Sequence, residues 1–356
     1  MGNNRFFGGF SMDRHDRQIR VSEIGKQGQQ KLSAATLLIV GCGALGTYCA
    51  EQLVRGGIKN IILVDPDFVD ETNLQRQALF VTDDAASRQM KVTAAKKQLQ
   101  RIDPQVQVTA YPCSFEQVVF EALGAIDLIL DCTDNFHTRS LINLYAYHHE
   151  LPFVFGACNR TTGQVMALHP CKQPCLHCVF PQLDGLEKED CTTVGVLTPL
   201  VPFVTSLQVA LVYKILLDDP TLSWQTMTYA DLWHGALDHY QIEKKATCPV
   251  CSEKKTTAAA AIEAKKICGT DVYQTTLSPM QQHALLESSR KHSAILKENP
   301  LAAKIQIGAI ELTLFKNGKV LIYGLTPKNS RLLPEFLQMI VKGATYDSEN
   351  RSFDHQ

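Results

Sequence analysis

The 356-residue sequence has almost no net charge: 35 basic and 36 acidic side chains leave −1 at neutral pH. That excludes the broad basic footprint of a nucleic-acid-binding surface, so any cationic cluster is local to a site. No run of about 20 uncharged apolar residues occurs, which argues against a membrane-spanning helix. The longest apolar candidate, 196–217, is interrupted by Thr198, Pro199, Pro202, Thr205, Ser206, Gln208 and Lys214 and reads as a buried or interface helix. The first twelve residues lack the charged start and continuous apolar run of a signal peptide. A cytoplasmic setting is therefore expected. No internal repeat is found. What the chain does have is a globular balance of 45% hydrophobic and 20% charged residues, together with 12 cysteines. Without a secretion signal these read as reduced thiols, metal ligands or sulfur chemistry, not disulfides.

The patterning predicts a flexible start (1–12), a large α/β domain (13–252), a linker (253–266), a small α+β domain (267–345) and a tail (346–356). In the large domain, apolar runs at Thr36–Val40, Ile61–Asp65, Val106–Tyr111, Asp127–Asp131 and Pro152–Gly156 read as buried strands. Helical stretches near Ala44–Arg55, Arg88–Arg101, Ser114–Leu123 and His137–His149 separate them. This alternation predicts a Rossmann-like, doubly wound, mainly parallel sheet, without fixing its strand order. In the small domain the expected elements are a strand at Val272–Thr276, helices at Ser278–Glu298 and Ser330–Lys342, and a hairpin of Ile310–Phe315 with Lys319–Gly324 around Asn317-Gly318, whose residues tolerate positive φ.

The segment Gly41-Cys42-Gly43-Ala44-Leu45-Gly46 follows a strand and opens a helix. Glycines there let the backbone approach a phosphate, and the helix N-terminus offers free N–H groups and partial positive charge. Asp65 closes the next strand, where an acid can accept bonds from ribose hydroxyls. By itself this pattern fits NAD, FAD or ATP. Three further residues favour a triphosphate. Arg76 and Lys91 can neutralise charge growing on a phosphoryl group. Asp134, with Asn135, follows a strand's carboxyl end and is placed to hold a Mg²⁺ that bridges phosphates.

Two CxxC knuckles, Cys175/Cys178 and Cys248/Cys251, lie about 70 residues apart. Four thiolates make a closed structural Zn²⁺ site, expected to clamp two crossing segments. Cys191 precedes an apolar helix, and a thiol near a helix N-terminus can act as a nucleophile. Cys49, Cys113, Cys132 and Cys158 read as small core residues.

Taken in order and spacing, Arg14–Gln18 (RHDRQ), GCGALG, Asn73–Gln77 (NLQRQ), Lys91, Asp131–Asn135 (DCTDN), both CxxC pairs and Cys191–Val196 resemble the MoeB/ThiF adenylyltransferases of molybdopterin and thiazole biosynthesis, relatives of ubiquitin-activating enzymes. The third zone is similar to a C-terminal extension of some Gram-positive-type members. The resemblance implies adenylylation by ATP of the C-terminal glycine carboxylate of a small ubiquitin-like sulfur-carrier protein ending in Gly-Gly. It assigns Asp65 to the ribose, Ala44, Asn73, Arg76 and Lys91 to the phosphates, and Asp134 to Mg²⁺. It places Arg17 in the partner subunit's site, so a homodimer is expected. Thiazole-type relatives can use a cysteine matching Cys191 for a covalent bond to the carrier, whereas molybdopterin-type relatives dispense with it. The third zone has no reactive cysteine loop, so a separate sulfur donor is expected. Ala44 departs from the family, where a third adjacent glycine is common; a methyl fits unless φ is positive. Two competing readings remain: an NAD(P)- or FAD-dependent oxidoreductase on the same loop, and an inactive zinc-stabilised scaffold, which would usually lack Arg76, Lys91 or Asp134.

Overall fold

The computed structural model describes residues 14–118, 123–181, 195–252 and most of 265–324. It divides into two compact units, the first built from segments up to Asn135, Ala146–Cys175 and Asp190–Glu243. In chain order it begins with α1 (Asp16–Ile19) and α2 (Gly25–Ala34), then β1 (Thr36–Val40), α3 (Ala44–Arg55), β2 (Asn60–Val64), α4 (Thr82–Ala86), α5 (Lys91–Ile102), β3 (Gln107–Tyr111) and β4 (Leu128–Asp131). There follow α6 (Phe136–His148), β5 (Phe153–Asn159), β6 (Thr162–Leu168), α7 (Leu176–Val179), α8 (Leu200–Leu216), β7 (Thr226–Asp231) and β8 (Ala236–Gln241).

These strands form one sheet in the order β3-β2-β1-β4-β5-β6-β7-β8. Pairings from β3 to β5 are parallel and those from β5 to β8 antiparallel. The parallel half is covered on both faces, which is why Leu37, Leu38 and Ile39 of β1 and all of β4 are buried without alternation. α3 and α8 pack together, and α8 also lies on β5 and β6. Gly163 of β6 makes this possible: a Cβ there would run into Val204.

The second unit takes in Phe136–Tyr145 of α6 and all of α7, and contains a six-stranded antiparallel sheet of β9 (Lys265–Lys266), β10 (Tyr273–Thr276), β11 (Ile295–Glu298), β12 (Ala302–Ile307), β13 (Ile310–Phe315) and β14 (Lys319–Tyr323), in the order β11-β12-β13-β14-β10-β9. Alternate residues Ile310, Leu312 and Leu314 form a small core with Ile305, Val320, Ile322 and Leu285 of α9 (Pro279–Lys291).

Two sequence expectations are corrected. The helix expected over Ser278–Glu298 stops at Lys291, because Ile295–Glu298 pairs as a strand with β12 and the ladder overrides local helical preference. α5 begins at Lys91, not Arg88: Arg88 has φ 47° in the turn after α4 and cannot start a helix. Of the Ser114–Leu123 stretch, residues 119–122 lie outside the described residues, and those before them include a 3₁₀ turn, Phe115–Gln117, closed by Ser114 and Gln117. Residues 330–342 and most of the linker lie outside the described residues, but Lys265–Lys266, read as linker, pair with β10. Cys113 and Cys158 are only half-buried. No described helix is long and apolar enough to cross a membrane.

The amino-terminal motif is anchored at two points. Arg14 reaches the carbonyl of Ile102 (3.0 Å) and the carboxylate of Asp103 (3.4 Å), and Gln18 donates to the carbonyl of Gly56 (2.8 Å). Burial alone would raise the pKa of Asp103, but the Lys59 ammonium at 2.5 Å, the Gln105 N–H and Arg14 together hold it below the usual range. A depressed folded pKa means stability present above the unfolded value of about 3.9 and lost as pH falls through the folded one. Asp103→Asn is therefore expected to lower stability by about 1.5–3 kcal/mol at pH 7. The gap should begin to narrow below about pH 4 and close only as pH falls through the depressed folded-state pKa, where the wild-type carboxyl protonates. Thermal melts at both pH values check this; a gap unchanged with pH would show that the contribution is not ionic.

Candidate functional site

The strand order reverses between β1 and β4, and in open α/β sheets ligands bind beyond the carboxyl ends of strands at such a point. The glycine loop leaves β1 there and the Asp131–Asn135 segment leaves β4 beside it. The two touch backbone to backbone. Gly41 has φ +90°, and a Cβ on it would stand 2.6 Å from the carbonyl oxygen of Cys132. Gly43 caps the start of α3. A Cβ there would meet only the Gln77 Nε2, at 3.9 Å. The packing of the protein therefore does not require glycine at 43, and the space beside it fits a phosphate on the helix N-terminus, whose first-turn N–H groups have no intrahelical acceptor. Ala44 is the first residue of α3 and is not among the positive-φ residues, so its methyl is accommodated.

Asp65 follows β2 directly and is 6% exposed. Its carboxylate accepts from Cys42 N–H (2.7 Å) and Asp67 N–H (2.9 Å), which ties the acid to the loop. Burial pushes its pKa up, opposed by the Lys91 charge and these two N–H groups. The Lys91 ammonium is itself buried and pairs with Asp67 at 2.8 Å. Its backbone N–H also bonds the Asp67 carbonyl (2.9 Å), and Phe68 bridges Met90, so the first turn of α5 is pinned beside Asp65. Burial raises the Cys42 and Cys132 thiols well above their ordinary pKa, in keeping with packing roles.

Asn73 ends a short 3₁₀ turn, its side-chain oxygen accepting from Asp70 N–H at 3.1 Å. Arg76 is half-buried and donates to the Thr72 carbonyl (2.8 Å). Asp131 is fully buried and takes both the N–H and the hydroxyl of Thr133, shaping the turn that leaves Asp134 and Asn135 exposed beyond β4. The structure thus joins the glycine loop, Asp65, Lys91 and the start of the Asp134 segment. It sets Arg17 apart: α1 is hooked onto Gly56 at the far end of α3, about 18 Å along a 12-residue helix from Gly43. Cys191 lies outside the described residues.

Sequence reasoning passed over Gln77 and Asp67. Gln77 is 4% exposed, with its Oε1 lacking a partner among the described residues. The spacing Asp-x-Asp before Asn73 and the second glutamine of NLQRQ were the available signals.

The sulfurs of Cys175, Cys178, Cys248 and Cys251 are buried and lie within 4.8 Å of one another, with no disulfide between them. Tetrahedral Zn–S bonds of about 2.3 Å separate sulfurs by about 3.8 Å, so the donor set fits Zn²⁺. The Cys178 and Cys251 sulfurs are 3.4 Å apart, and Lys245 N–H points at the Cys178 sulfur (3.4 Å), as backbone amides do toward metal-bound thiolates. Asn143, fully buried, accepts from Leu176 N–H at 2.9 Å and contacts His177 at 3.2 Å, fixing the first knuckle.

The ThiF family model matches residues 15–250. The sulfur carrier protein ThiS adenylyltransferase of Bacillus subtilis is 31% identical over 320 residues, covering 87% of this chain and 94% of that protein. A sulfur carrier protein adenylyltransferase of Thermus thermophilus is 33% identical, covering 72% and 97%. The molybdopterin-synthase adenylyltransferase of Escherichia coli is 36% identical over 207 residues, 58% of this chain and 82% of that one. The crystal structure of E. coli MccB shares the fold, with a TM-score of 0.58 at 21% identity over 67% of this chain and 74% of the other. A glycine loop tied to an acid and a buried lysine at the switch point, and a match across two thirds of its length, come to one conclusion: the chain belongs to the ThiF family.

Proposed function

We propose that this chain is an adenylyltransferase that uses ATP to activate the C-terminal glycine carboxylate of a small ubiquitin-like sulfur-carrier protein for thiocarboxylate formation in thiamin or molybdopterin biosynthesis. The observation that carries the reading is the buried Lys91 ammonium, whose charge acts on Asp65, the acid that Cys42 N–H ties to the glycine loop. Such a buried cation suits a polyphosphate. The named relatives are adenylyltransferases of sulfur carriers, and they give the oxidoreductase alternative no support.

An α-carboxyl group has pKa near 3.5 and is ionised at neutral pH, so it attacks without a general base. A carboxylate oxygen forms a bond to the α-phosphorus, the bond to the β-phosphate oxygen breaks, and pyrophosphate leaves with its electron pair. The chain's task is alignment of two anions and neutralisation of their charge. Lys91 and Arg76 supply charge from this subunit. The placement of Arg17 at the far end of α3 supports a role across a homodimer interface, in the partner's site. Asp134, exposed beyond β4, would hold a Mg²⁺, which would help to neutralise the phosphate charge. The cysteine cluster suits a structural Zn²⁺, and its reduced thiols suit a cytoplasmic setting. A covalent role for Cys191 is tested by Cys191→Ser: full thiocarboxylate formation by that variant ends it.

The test is Mg²⁺-dependent ATP–pyrophosphate exchange with a thiazole-type carrier, a molybdopterin-type carrier, and each carrier lacking its terminal glycine. Exchange with one carrier that vanishes without its glycine establishes reaction and pathway together. Exchange with neither overturns the reading. Asp134→Ala, which touches no core contact, should lower exchange by about 10²–10³-fold with an unchanged melt. Turnover close to wild type in that variant would remove Asp134 from the mechanism.

A further inference from the structure

We propose that Thr47 is a positioning residue of this site, its hydroxyl setting the distance between the phosphate-binding loop and the segment that carries Arg76 and Gln77. The inference rests on the adenylylation reading above and assigns a part of the site that the glycine loop and its cations do not explain.

Thr47 lies in the first turn of α3 and is fully buried. Its hydroxyl donates to the Gly43 carbonyl at 2.8 Å, with the Ala44 carbonyl at 3.2 Å. A helical threonine that bonds back to the carbonyl four residues earlier is common and has only local meaning. Here the same oxygen also accepts from the backbone N–H of Ala78, 31 residues on, at 3.1 Å. One hydroxyl therefore joins the capping residue of the phosphate helix to the chain immediately after Arg76-Gln77. Donor and acceptor capacity are used in opposite directions, so the bridge requires a hydroxyl and no apolar side chain of the same shape can replace it.

What the bridge holds in place is specific. Gln77, next to Ala78, is buried, its amide nitrogen lies over the open side of Gly43, and its Oε1 has no partner among the described residues. A buried amide oxygen left without a partner at the mouth of a ligand site is costly unless the ligand completes it. Arg76 begins the same turn, its N–H and that of Gln77 both bonding the Asn73 carbonyl, so a shift of Ala78 moves the whole turn. Misplacing such a group by about 1 Å can cost on the order of 10²-fold in rate.

The experiment compares Thr47→Val, which keeps shape and loses the hydroxyl, with Thr47→Ser, which keeps it. Thr47→Val should lose about 10–100-fold in kcat/KM for ATP, with Thr47→Ser within about threefold of wild type. Combined with Gln77→Leu, the Val change should cost little more than Gln77→Leu alone, because both remove one arrangement. Hydrogen–deuterium exchange across residues 74–79 should rise in the Val variant and not in the Ser variant, while β1 and β2 stay protected. Equal effects of Val and Ser, or additive effects of Thr47→Val and Gln77→Leu, would overturn the proposal by reducing Thr47 to a packing residue. Failure of the underlying reading is separate: wild type would show no carrier-dependent exchange. Thr47 is then judged by Mg·ATP affinity and hydrogen exchange, and a Val variant unchanged in hydrogen exchange overturns it.

Discussion

Gly46→Ala is expected to abolish nucleotide binding while leaving every charged residue of the site in the sequence. A Cβ built on Gly46 overlaps the carbonyl oxygen of Gly41 and stands 2.9 Å from its carbonyl carbon. Both are backbone atoms, so no side chain can rotate away. Gly41 cannot retreat either, because on its other side it lies against the Cys132 carbonyl. An added methyl must push α3 and the loop apart. The cost is of the kind seen on overpacking a rigid core, about 1–3 kcal/mol and more where backbone must move. The functional cost is larger. The loop sets where the helix N-terminus meets a phosphate, and Cys42 N–H holds Asp65, so displacing the loop releases the acid as well. Affinity for Mg·ATP, read by calorimetry, should fall by 10²-fold or more on the order-of-magnitude scale of a misplaced site. Gly43→Ala makes the contrast: its Cβ enters open space and should spare the fold while still obstructing the ligand. Equal ATP affinity in Gly46→Ala and wild type would mean that α3 and the loop do not need this close approach.

Much of this was legible before any coordinates, and the reasons are local. Thr36–Val40 and Ala44–Arg55 were readable to the residue because a buried parallel strand leaves a continuous apolar run and the glycine loop marks its end. The antiparallel half of the sheet was not. β7 is half-exposed apart from the buried Ala230 and β8 is exposed throughout, so they carry no apolar run, and their pairing is decided by partners. The Ile295–Glu298 strand was hidden for the same reason: its ladder with β12 is nonlocal, and its own residues continue a helical pattern.

At the site, residue types were legible and connections were not. The sequence suggests Asp65 and Lys91 as ligands of a nucleotide. The structure adds that each is already engaged, Asp65 by Cys42 and Asp67 N–H groups and Lys91 by the Asp67 carboxylate. That changes the expected chemistry: a phosphate arriving at Lys91 competes with Asp67, so part of the lysine's attraction is spent displacing a partner. Nothing in the spacing of Thr47 to Ala78 announces a hydrogen bond, because the turn between them is fixed by capping at Asp70–Asn73 and by contact with α4.

The second large effect is expected at the cysteine cluster. Wild-type protein should contain one Zn²⁺ per chain, and Cys178→Ser or Cys248→Ser should lose it. Four buried sulfurs within 4.8 Å make a poor apolar core and a good metal site. Without a cation, thiols at this spacing can stay only as neutral S–H groups, giving little packing and weak hydrogen bonds. With one, they ionise, and the metal-binding energy becomes folding energy, an apparent 10–16 kcal/mol in small zinc domains at neutral pH. The site is also held from outside: Lys245 N–H on Cys178 and Asn143 on Leu176 N–H are the kind of supporting bonds that fix ligand geometry. A strong chelator should therefore remove the metal slowly and lower the melting temperature of the wild type, and hydrogen exchange should rise first at residues 244–252. Because the ligands bind as thiolates and protons compete for them, zinc affinity should fall as pH drops. Metal analysis showing no zinc in freshly purified protein, with a cooperative melt insensitive to chelator, would make these four cysteines a buried thiol cluster and nothing more.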